Sequence, residues 1–397
     1  MARPPDATTR LILVLGLGCL ASTLATRALD PLVGVLALEF GTTAATVALL
    51  GTAFALPYAL VQPVLGPVGD AVGKQRVIRV CLLVLAAALL ASALVPGLAG
   101  LAGLRMLAGA AAGGIFPLCI AIIGDRVPME RRQVALSRLL VAGLTGSAGG
   151  GAMAALLEPF IGWRGVVLIC AAASVAGFLV LRGAEAAPHA APGRRLDMAE
   201  ALTRYRHLLA LRQARRLYLA VFVEGTLVFG VFPFLAPILA ARSIGGPAEA
   251  GLAIAGFAAG GFGFAALAPM LLGRLGQARM VVLGGVLAAC GLGGLALAPA
   301  AWLVVACCLT LGLGFYMVHS SIQTRVTEVA PMARGSAVAL HAFCFFLGQS
   351  LGPVAMGLAR AGVGQEWALA LAAAGMLALA AWLGPQRAGR SGMPAGR

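Results

Sequence analysis

The chain consists of long apolar runs separated by short segments that carry glycine, proline and basic residues. A run of about 20 apolar residues is long enough to cross the hydrocarbon core of a bilayer as an α-helix. Twelve such runs lie at Leu11–Leu38, Thr46–Val68, Val77–Val95, Leu98–Ile123, Val134–Leu157, Gly165–Leu181, Leu217–Ala240, Leu252–Leu272, Val281–Ala298, Trp302–Thr324, Ser336–Leu358 and Trp367–Leu383. The pattern therefore predicts an all-α polytopic membrane protein with 12 transmembrane helices.

Composition agrees with this class and excludes others. The 397 residues are 61% hydrophobic and 11% charged, whereas about a quarter of the residues of a soluble domain are charged. The net charge of +15 would suit nucleic-acid binding only on a soluble basic face, and here the cations lie between apolar runs. The eight cysteines lie inside those runs without zinc-ligand or redox spacing. We therefore expect no nucleic acid partner, no metal and no cofactor.

The basic residues predict the orientation in the membrane. If both termini are cytoplasmic, 24 of the 29 Lys and Arg residues fall on the cytoplasmic side, and only Arg164, Arg242 and Arg360 lie in outer loops. This asymmetry follows the positive-inside rule. The richness in alanine, glycine and arginine indicates a GC-rich bacterial genome, so the predicted location is the bacterial cytoplasmic (inner) membrane.

The chain divides into two similar halves. An arginine-rich segment predicts a basic cytoplasmic linker at 182–216, between six-helix bundles at 1–181 and 217–397. The linker is interpreted either as an amphipathic helix on lipid headgroups or as a solvated connection. The sequence Val-Pro-Met-Glu-Arg at 127–131 recurs as Ala-Pro-Met-Ala-Arg at 330–334, and Gly109 recurs as Gly312 at the same offset of 203. Such repeats predict two pseudo-symmetric bundles.

Three motifs resemble those of the major facilitator superfamily. The turn at 66–76 resembles the family's loop between helices 2 and 3, which has the pattern G-x-L-x-D-R-x-G-R-K-x. The stretch around Arg105 and Gly109 resembles its R-x-x-x-G motif, and 146–151 resembles the G-P-x-x-G-G motif of drug/proton antiporters, with Ser147 in place of the proline. The resemblance is therefore closest to the 12-helix drug/proton antiporter-like branch. Gly352-Pro353 aligns with Gly146-Ser147 at an offset of 206.

This resemblance implies alternating access, in which the two halves rock about a central cavity. The turn would latch the cytoplasmic side when Asp70 engages the start of helix 11, with Arg131 or Arg132 as a second candidate partner. The glycines of helices 5 and 11 are interpreted either as ordinary close helix packing or as close packing at a moving interface. The predicted gating residues are Gly66, Asp70, Gly73, Lys74, Arg76, Arg131, Arg132, Gly146, Gly150, Gly352 and Pro353.

Few ionisable residues lie inside the apolar runs, and each is costly there unless it has a partner or a water-filled cavity. Arg27 and Asp30 share one face of helix 1, and Arg105 lies at a similar depth in helix 4. We expect a cluster with one carboxylate between two guanidiniums. Three interpretations remain: an anionic substrate binds the surplus positive charge, Asp30 carries the coupling proton, or the group is a permanent salt bridge.

The second half carries one well-buried acid, Glu224 in helix 7. Tyr316, His319, Ser320 and Gln323 recur at helical spacing on helix 10, which corresponds to helix 4. A carboxylate and an imidazole placed together exchange protons near neutral pH, although a lone buried histidine is commonly just hydrogen-bonded. Further polar contacts to the cavity are expected from Tyr58, Gln62 and Gln349, whereas His341 is expected at the membrane interface.

The predicted function is secondary active transport of a small organic solute, by proton-coupled efflux. The alternatives are proton-linked uptake of an organic anion and a non-transporting membrane sensor. An enzyme is not expected, because no metalloprotease, nucleophile-elbow or phosphate-loop motif is present. The expected partners are a small-molecule substrate, protons and the lipid bilayer, and the expected state is a monomer.

Overall fold

The computed structural model describes residues 7–183, 198–329 and 333–384, and within those ranges every regular segment is helical. The helices are α1 (Ala7–Arg27), α2 (Val33–Glu39), α3 (Ala44–Val72), α4 (Lys74–Ser92), α5 (Leu98–Gly113), α6 (Ile115–Arg126), α7 (Met129–Gly183), α8 (Met198–Ala210), α9 (Arg212–Phe229), α10 (Leu235–Ala241), α11 (Pro247–Leu297), α12 (Ala301–Val329), α13 (Arg334–Val363) and α14 (Gln365–Leu383). Short 3-10 turns at Asp30–Leu32 and Phe232–Phe234 join α1 to α2 and α9 to α10.

Ten helical stretches among the described residues are long and apolar enough to cross a membrane. Two of them, α7 and α11, have 55 and 51 residues. At 1.5 Å per residue each would extend over roughly 75 Å, more than twice the thickness of the hydrocarbon core. Each reverses direction at one glycine in the left-handed region, Gly162 (φ 66°) or Gly276 (φ 68°), where a side chain would be strained. The two turns divide the ten stretches into twelve crossing segments, which confirms the predicted fold.

Successive crossings alternate between two membrane faces. We call the face where the chain turns at Gly73, Val127 and Gly276 the basic face, and the face with turns at Gly41, Gly162 and Gly364 the opposite face. The basic face carries the arginine-rich linker. The arginines of the opposite face are held close to the protein: Arg164 pairs with Glu39 at 2.6 Å, and Arg242 pairs with Glu366 at 3.4 Å.

Buried apolar residues form two large clusters. The first runs from Ile12 to Leu181, and the second runs from Leu208 to Leu383 and includes Ala48 of the first half. Within the predicted linker, residues 184–197 lie outside the described ranges and α8 is helical. Its Tyr205 hydroxyl donates a hydrogen bond to the Pro63 carbonyl at 2.7 Å, so the linker helix contacts the first half. The domain limits at 181 and 217 stay predictions.

Close helix contacts repeat in both halves. A Cβ added at Gly109 would overlap the carbonyl of Phe54, and one added at Gly312 would overlap the carbonyl of Phe257. Each glycine therefore lets the second and fourth crossing of its half approach at backbone distance. Both members of each pair are related by the offset of 203 found in the sequence.

The glycines of helices 5 and 11 also match, but one helical turn away from the predicted alignment. Gly146 packs against the Leu20 carbonyl as Gly348 packs against that of Phe222. Gly150 packs against the Leu24 carbonyl, and Gly352 is its counterpart, close to the carbonyl of Thr226 on α9. The predicted pairing of Gly146 with Gly352 is therefore wrong.

These contacts are those of ordinary close helix packing, one of the two interpretations of the helix 5 and helix 11 glycines, and their gating role stays a prediction. Gly146 and Gly150 join α7 to α1 inside the first half, and Gly352 joins α13 to α9 inside the second half. Small residues allow close packing of this kind between helices in a membrane. Pro353, by contrast, faces the other half, where its ring lies near Gly51 of α3.

The halves also meet toward the opposite face. α2 contacts α10, the two 3-10 turns contact each other, and α3 packs along α13. The Thr52 hydroxyl donates to the Ser350 carbonyl at 2.5 Å, and an added Cβ at Gly151 would touch Ile254. The described residues thus close the space between the halves on the side of the opposite face.

Candidate functional site

The first crossing of each half is interrupted in the part nearer the opposite face. α1 ends at Arg27, just before Pro31, and α9 ends at Phe229, just before Pro233. Proline lacks an N–H and its ring disturbs the preceding helical turn, so carbonyls there lose their usual partners. The two interruptions contact each other across the boundary between the halves. Polar backbone is therefore presented where the halves meet.

Arg105 satisfies the freed carbonyls of α1. Its guanidinium donates to the Ala25 carbonyl at 3.0 Å and to the Thr26 carbonyl at 3.5 Å, and it lies 4.2 Å from the ring centroid of Phe54. No Arg105–Asp30 ion pair within 4 Å is found among the described side chains. Arg105 is within electrostatic range of Asp30, so the three side chains lie near one another as expected, but only Arg27 pairs with Asp30 directly because the interrupted helix offers Arg105 closer acceptors.

Arg27 pairs with Asp30 instead. Its Nη1 lies 3.0 Å from the Asp30 Oδ2, and the two side chains are 10% and 6% exposed. The guanidinium also faces two aromatic rings of the second half, with centroids at 4.6 Å (Phe229) and 5.2 Å (Phe232). A cation over such rings is attracted by their negative faces. Arg27 therefore joins the two halves, because it pairs with Asp30 of the first half and contacts aromatic rings of the second.

A narrow cavity lies beside this pair, between the two halves. It is lined by Thr26, Arg27, Asp30, Gly51, Phe54, Ala55, Phe229, Pro233, Gln349 and Pro353. The space left among these side chains is about that of one water molecule. A solute can therefore occupy this site only when the halves separate.

Glu224 and His319 are in direct contact in the second half. The Glu224 Oε2 lies 2.9 Å from the His319 Nδ1, and Glu224 is fully buried. The other carboxylate oxygen, Oε1, is buried without a hydrogen-bond partner in the structure. Tyr316 is within electrostatic range of both Glu224 and Arg27. Tyr316 therefore lies between Glu224 and the Arg27–Asp30 pair in electrostatic terms.

The rest of the predicted stripe on α12 does not join this contact. Ser320 donates to the Met317 carbonyl of its own helix at 3.4 Å, and Gln323 is exposed. The helical spacing correctly placed these residues on one side of α12, but that side extends beyond the buried part of the helix. Only its first turn, with Tyr316 and His319, lies among the aromatic rings of Phe257, Phe315 and Phe345.

The other predicted polar contacts differ in their roles. Gln62 donates to the Tyr58 and Gly113 carbonyls at 3.2 and 3.1 Å, so it joins α3 to α5 and does not line the cavity. The Tyr58 ring packs on Phe346 of the second half with centroids 3.9 Å apart. Gln349 is 6% exposed and lines the cavity as predicted.

The basic-face turn is held within the first half. Lys74 lies 3.1 Å from Asp70 and 2.7 Å from Asp125, and Gly73 (φ 100°) ends α3. The exposed members of the predicted gating set are Gly66, Asp70, Arg76 and Arg131. The Arg132 side chain and residues 330–332 before α13 lie outside the described parts of the chain. A contact between Asp70 and helix 11 therefore stays a prediction.

Two features were missed from the sequence. Phe54, Phe229 and Phe232 flank the buried guanidiniums, although phenylalanine in an apolar run is indistinguishable from packing. His341 was expected at the interface, yet it is 3% exposed and its ring lies 5.2 Å from that of His319. Its position one helix away from a buried acid was visible only after the helices were assembled.

Comparisons with known proteins agree with this architecture. The family model described as Major Facilitator Superfamily matches residues 15–353 and 217–396. Over 103 residues the chain is 30% identical to the gallate transporter of Pseudomonas putida; this match covers 26% of the chain and 23% of that transporter's length.

Solved structures with a similar fold include three transporters. The nucleoside transporter NupG matches with a TM-score of 0.78 at 17% identity, over 94% of this chain and 98% of that one. A D-xylose-proton symporter matches with a TM-score of 0.78 at 16% identity, over 94% of this chain and 97% of that one. The human organic anion transporter MFSD10 matches with a TM-score of 0.70 at 19% identity, over 96% of this chain and 100% of that one. The twelve crossings, the repeated helix contacts and the family match together show that this chain belongs to the major facilitator superfamily, whose members are membrane transporters and not enzymes.

Proposed function

We propose that this transporter takes up a small organic anion together with protons across the bacterial cytoplasmic membrane. The observation that carries the proposal is the Arg27 guanidinium, which lines a cavity bounded by both halves. Efflux was the first expectation from the sequence, but none of the contacts at the cavity favours it. The antiporter assignment depended on the helix 5 motif, whose glycines Gly146 and Gly150 pack inside one half.

An anionic substrate group is favoured by the surroundings of Arg27. The guanidinium has one carboxylate partner, Asp30, and Arg105 adds a second buried positive charge nearby. The net charge of these three side chains is positive, and a carboxylate of the substrate would offset it. Two relatives are consistent with this class by name, the gallate transporter and the organic anion transporter MFSD10.

Proton coupling is assigned to Glu224 and His319. A fully buried carboxyl group takes up and releases a proton when its surroundings change between two conformations. Tyr316 lies in electrostatic range of both Glu224 and Arg27, so the acid and the substrate site share a neighbouring side chain. One of the structural neighbours is described as a D-xylose-proton symporter, and the proposal of proton coupling is consistent with that description.

Alternating access follows from how the halves meet. With the basic face in the cytoplasm, as the positive-inside rule predicts, the contacts described above close the outer side. In the outward-open state these contacts would separate and the Asp70 turn would close the cytoplasmic side. Because both bundles belong to one chain and enclose one cavity, a monomer is the functional unit.

The test is transport by the purified protein in liposomes. Vesicles with an alkaline interior and an entrapped pH indicator are supplied with labelled gallate, succinate, xylose, uridine or tetraphenylphosphonium. We expect accumulation of at least one carboxylate, together with acidification of the interior and loss of both signals in Arg27→Gln, which removes the positive charge. The matched control is Arg242→Gln, which lies on the opposite face and away from the cavity.

Three results would contradict the proposal. Accumulation of the cation in acid-loaded vesicles would indicate efflux by exchange. Carboxylate uptake without a pH signal would exclude proton coupling. Unchanged uptake by Arg27→Gln would exclude Arg27 as the anion site.

A further inference from the structure

A second histidine extends the contact between Glu224 and His319. His341 on α13 is 3% exposed, and its ring centroid lies 5.2 Å from that of His319, with the ring planes inclined by 57°. Its Nε2 is buried and has no hydrogen-bond partner in the structure. Leaving a buried polar group unpaired is unfavourable, so packing alone gives no reason for a histidine here.

The three groups are ordered along the membrane normal. His341 lies 7 residues after the start of α13, or about 10 Å from the basic-face end of that helix at 1.5 Å per residue. His319 lies 10 residues before the end of α12, or about 15 Å from the same face. Glu224 lies 12 residues into α9, or about 18 Å from it. The series therefore leads from the buried acid toward the basic face.

The surroundings restrict other routes for a proton. Phe315 stacks on the His319 ring at 5.0 Å and Phe345 covers it at 4.7 Å, so apolar rings surround the imidazole. Nearby titratable and charged groups of the neighbouring elements include Tyr218 on α9, Tyr316 on α12, Cys344 on α13 and Arg27 at the end of α1. The other charged residues of these helices lie nearer the helix ends: Arg212, Arg215 and Arg216 of α9, Arg325 and Glu328 of α12, and Arg334 and Arg360 of α13. Histidine, unlike the other types in this set, ordinarily titrates near neutral pH.

We propose that His341 is the third member of a proton path that runs from Glu224 through His319 to the basic face. This inference rests on the proposed proton coupling. The Glu224 carboxyl gives its proton to the His319 Nδ1, and His319 releases a proton from its second ring nitrogen to His341. His341 then releases one proton to water at the basic face. One proton leaves the protein, Glu224 is left as a carboxylate, and both imidazoles return to their neutral form.

The experiment needs no substrate. Infrared difference spectra of the purified protein in detergent are recorded after a rapid pH step, and the band of the protonated carboxyl group of Glu224 is identified by its loss in Glu224→Gln. His341→Phe keeps a ring beside His319 but cannot carry a proton. We expect the Glu224 band to change about 100-fold more slowly in this variant, as for loss of a positioned proton-transfer group.

Controls separate the path from the fold and from the coupling. His207→Phe changes an exposed histidine on α8 and should leave the rate unchanged. His341→Gln is the second variant if the phenylalanine variant fails to fold, and it should slow the band in the same way. If the Glu224 band changes at the parental rate in either folded His341 variant, the path through His341 is overturned, while the coupling through Glu224 stands. A parental protein without any titrating Glu224 band would overturn both.

Discussion

The pairing of Arg27 with Asp30 gives a prediction that separates a substrate site from a permanent salt bridge. The perturbations are Arg27→Met, Asp30→Asn and the two together. At the observed 3.0 Å, the attraction between the two charges is about 5 kcal/mol at an effective dielectric constant near 20, before the cost of burial is subtracted. Removing one partner of a buried pair typically costs about 3–5 kcal/mol, because the other charge stays buried alone.

The two single variants should differ. In Asp30→Asn the guanidinium keeps the faces of Phe229 and Phe232, which contribute roughly 0.5–2 kcal/mol, and the asparagine oxygen still accepts a hydrogen bond. In Arg27→Met the buried Asp30 carboxylate loses its nearest cation. We therefore expect Arg27→Met to reduce the free energy of unfolding more than Asp30→Asn does. The double variant should be close to the parent, because no charge is left unpaired.

Stability and transport are then measured on the same four proteins. Unfolding is followed by intrinsic fluorescence in detergent, and transport is measured in liposomes with the carboxylate that the parent accumulates. If Arg27 binds substrate, the double variant regains stability but not uptake. Uptake at the parental level in the double variant would refute the substrate site and leave a salt bridge. If the double variant loses as much free energy of unfolding as the two single variants lose together, the pair is not energetically coupled.

Three further predictions follow from other parts of the structure. Gly109→Ala and Gly312→Ala should each lower the unfolding temperature, because the added Cβ overlaps a carbonyl of the neighbouring helix and overpacking costs about 1–3 kcal/mol. The control is Gly103→Ala, on α5 with open space around it, and equal stability of all three variants would contradict the close contacts. Glu224→Gln should abolish the dependence of net uptake on the pH gradient while exchange of substrate across the membrane continues, and parental pH dependence would exclude Glu224 as the proton carrier. Asp70→Asn should increase cysteine labelling from the basic face, because the proposed latch of the outward-open state is weakened; labelling that matches the parent would count against the latch.

The sequence alone determined the class, the number of crossings and the twofold repeat. A run of about 20 apolar residues has few alternatives to a membrane helix, because unpaired backbone groups are too costly in lipid. Gly109 and Gly312 indicated the repeat, because a glycine at a helix crossing cannot be replaced without moving a carbonyl of the neighbouring helix. The rarity of charge in the apolar runs singled out Arg27, Asp30, Arg105 and Glu224 for the same energetic reason.

Only the tertiary structure decided what each of these groups contacts. Arg105 binds the carbonyls of Ala25 and Thr26, because α1 is interrupted there, and the sequence did not show where its guanidinium would find acceptors. His341 became part of a buried series because α12 and α13 bring two histidines together from different helices. Helical periodicity gives the side of a helix on which a residue lies, whereas the neighbour on that side depends on rotation and depth, which are set by packing of the whole bundle.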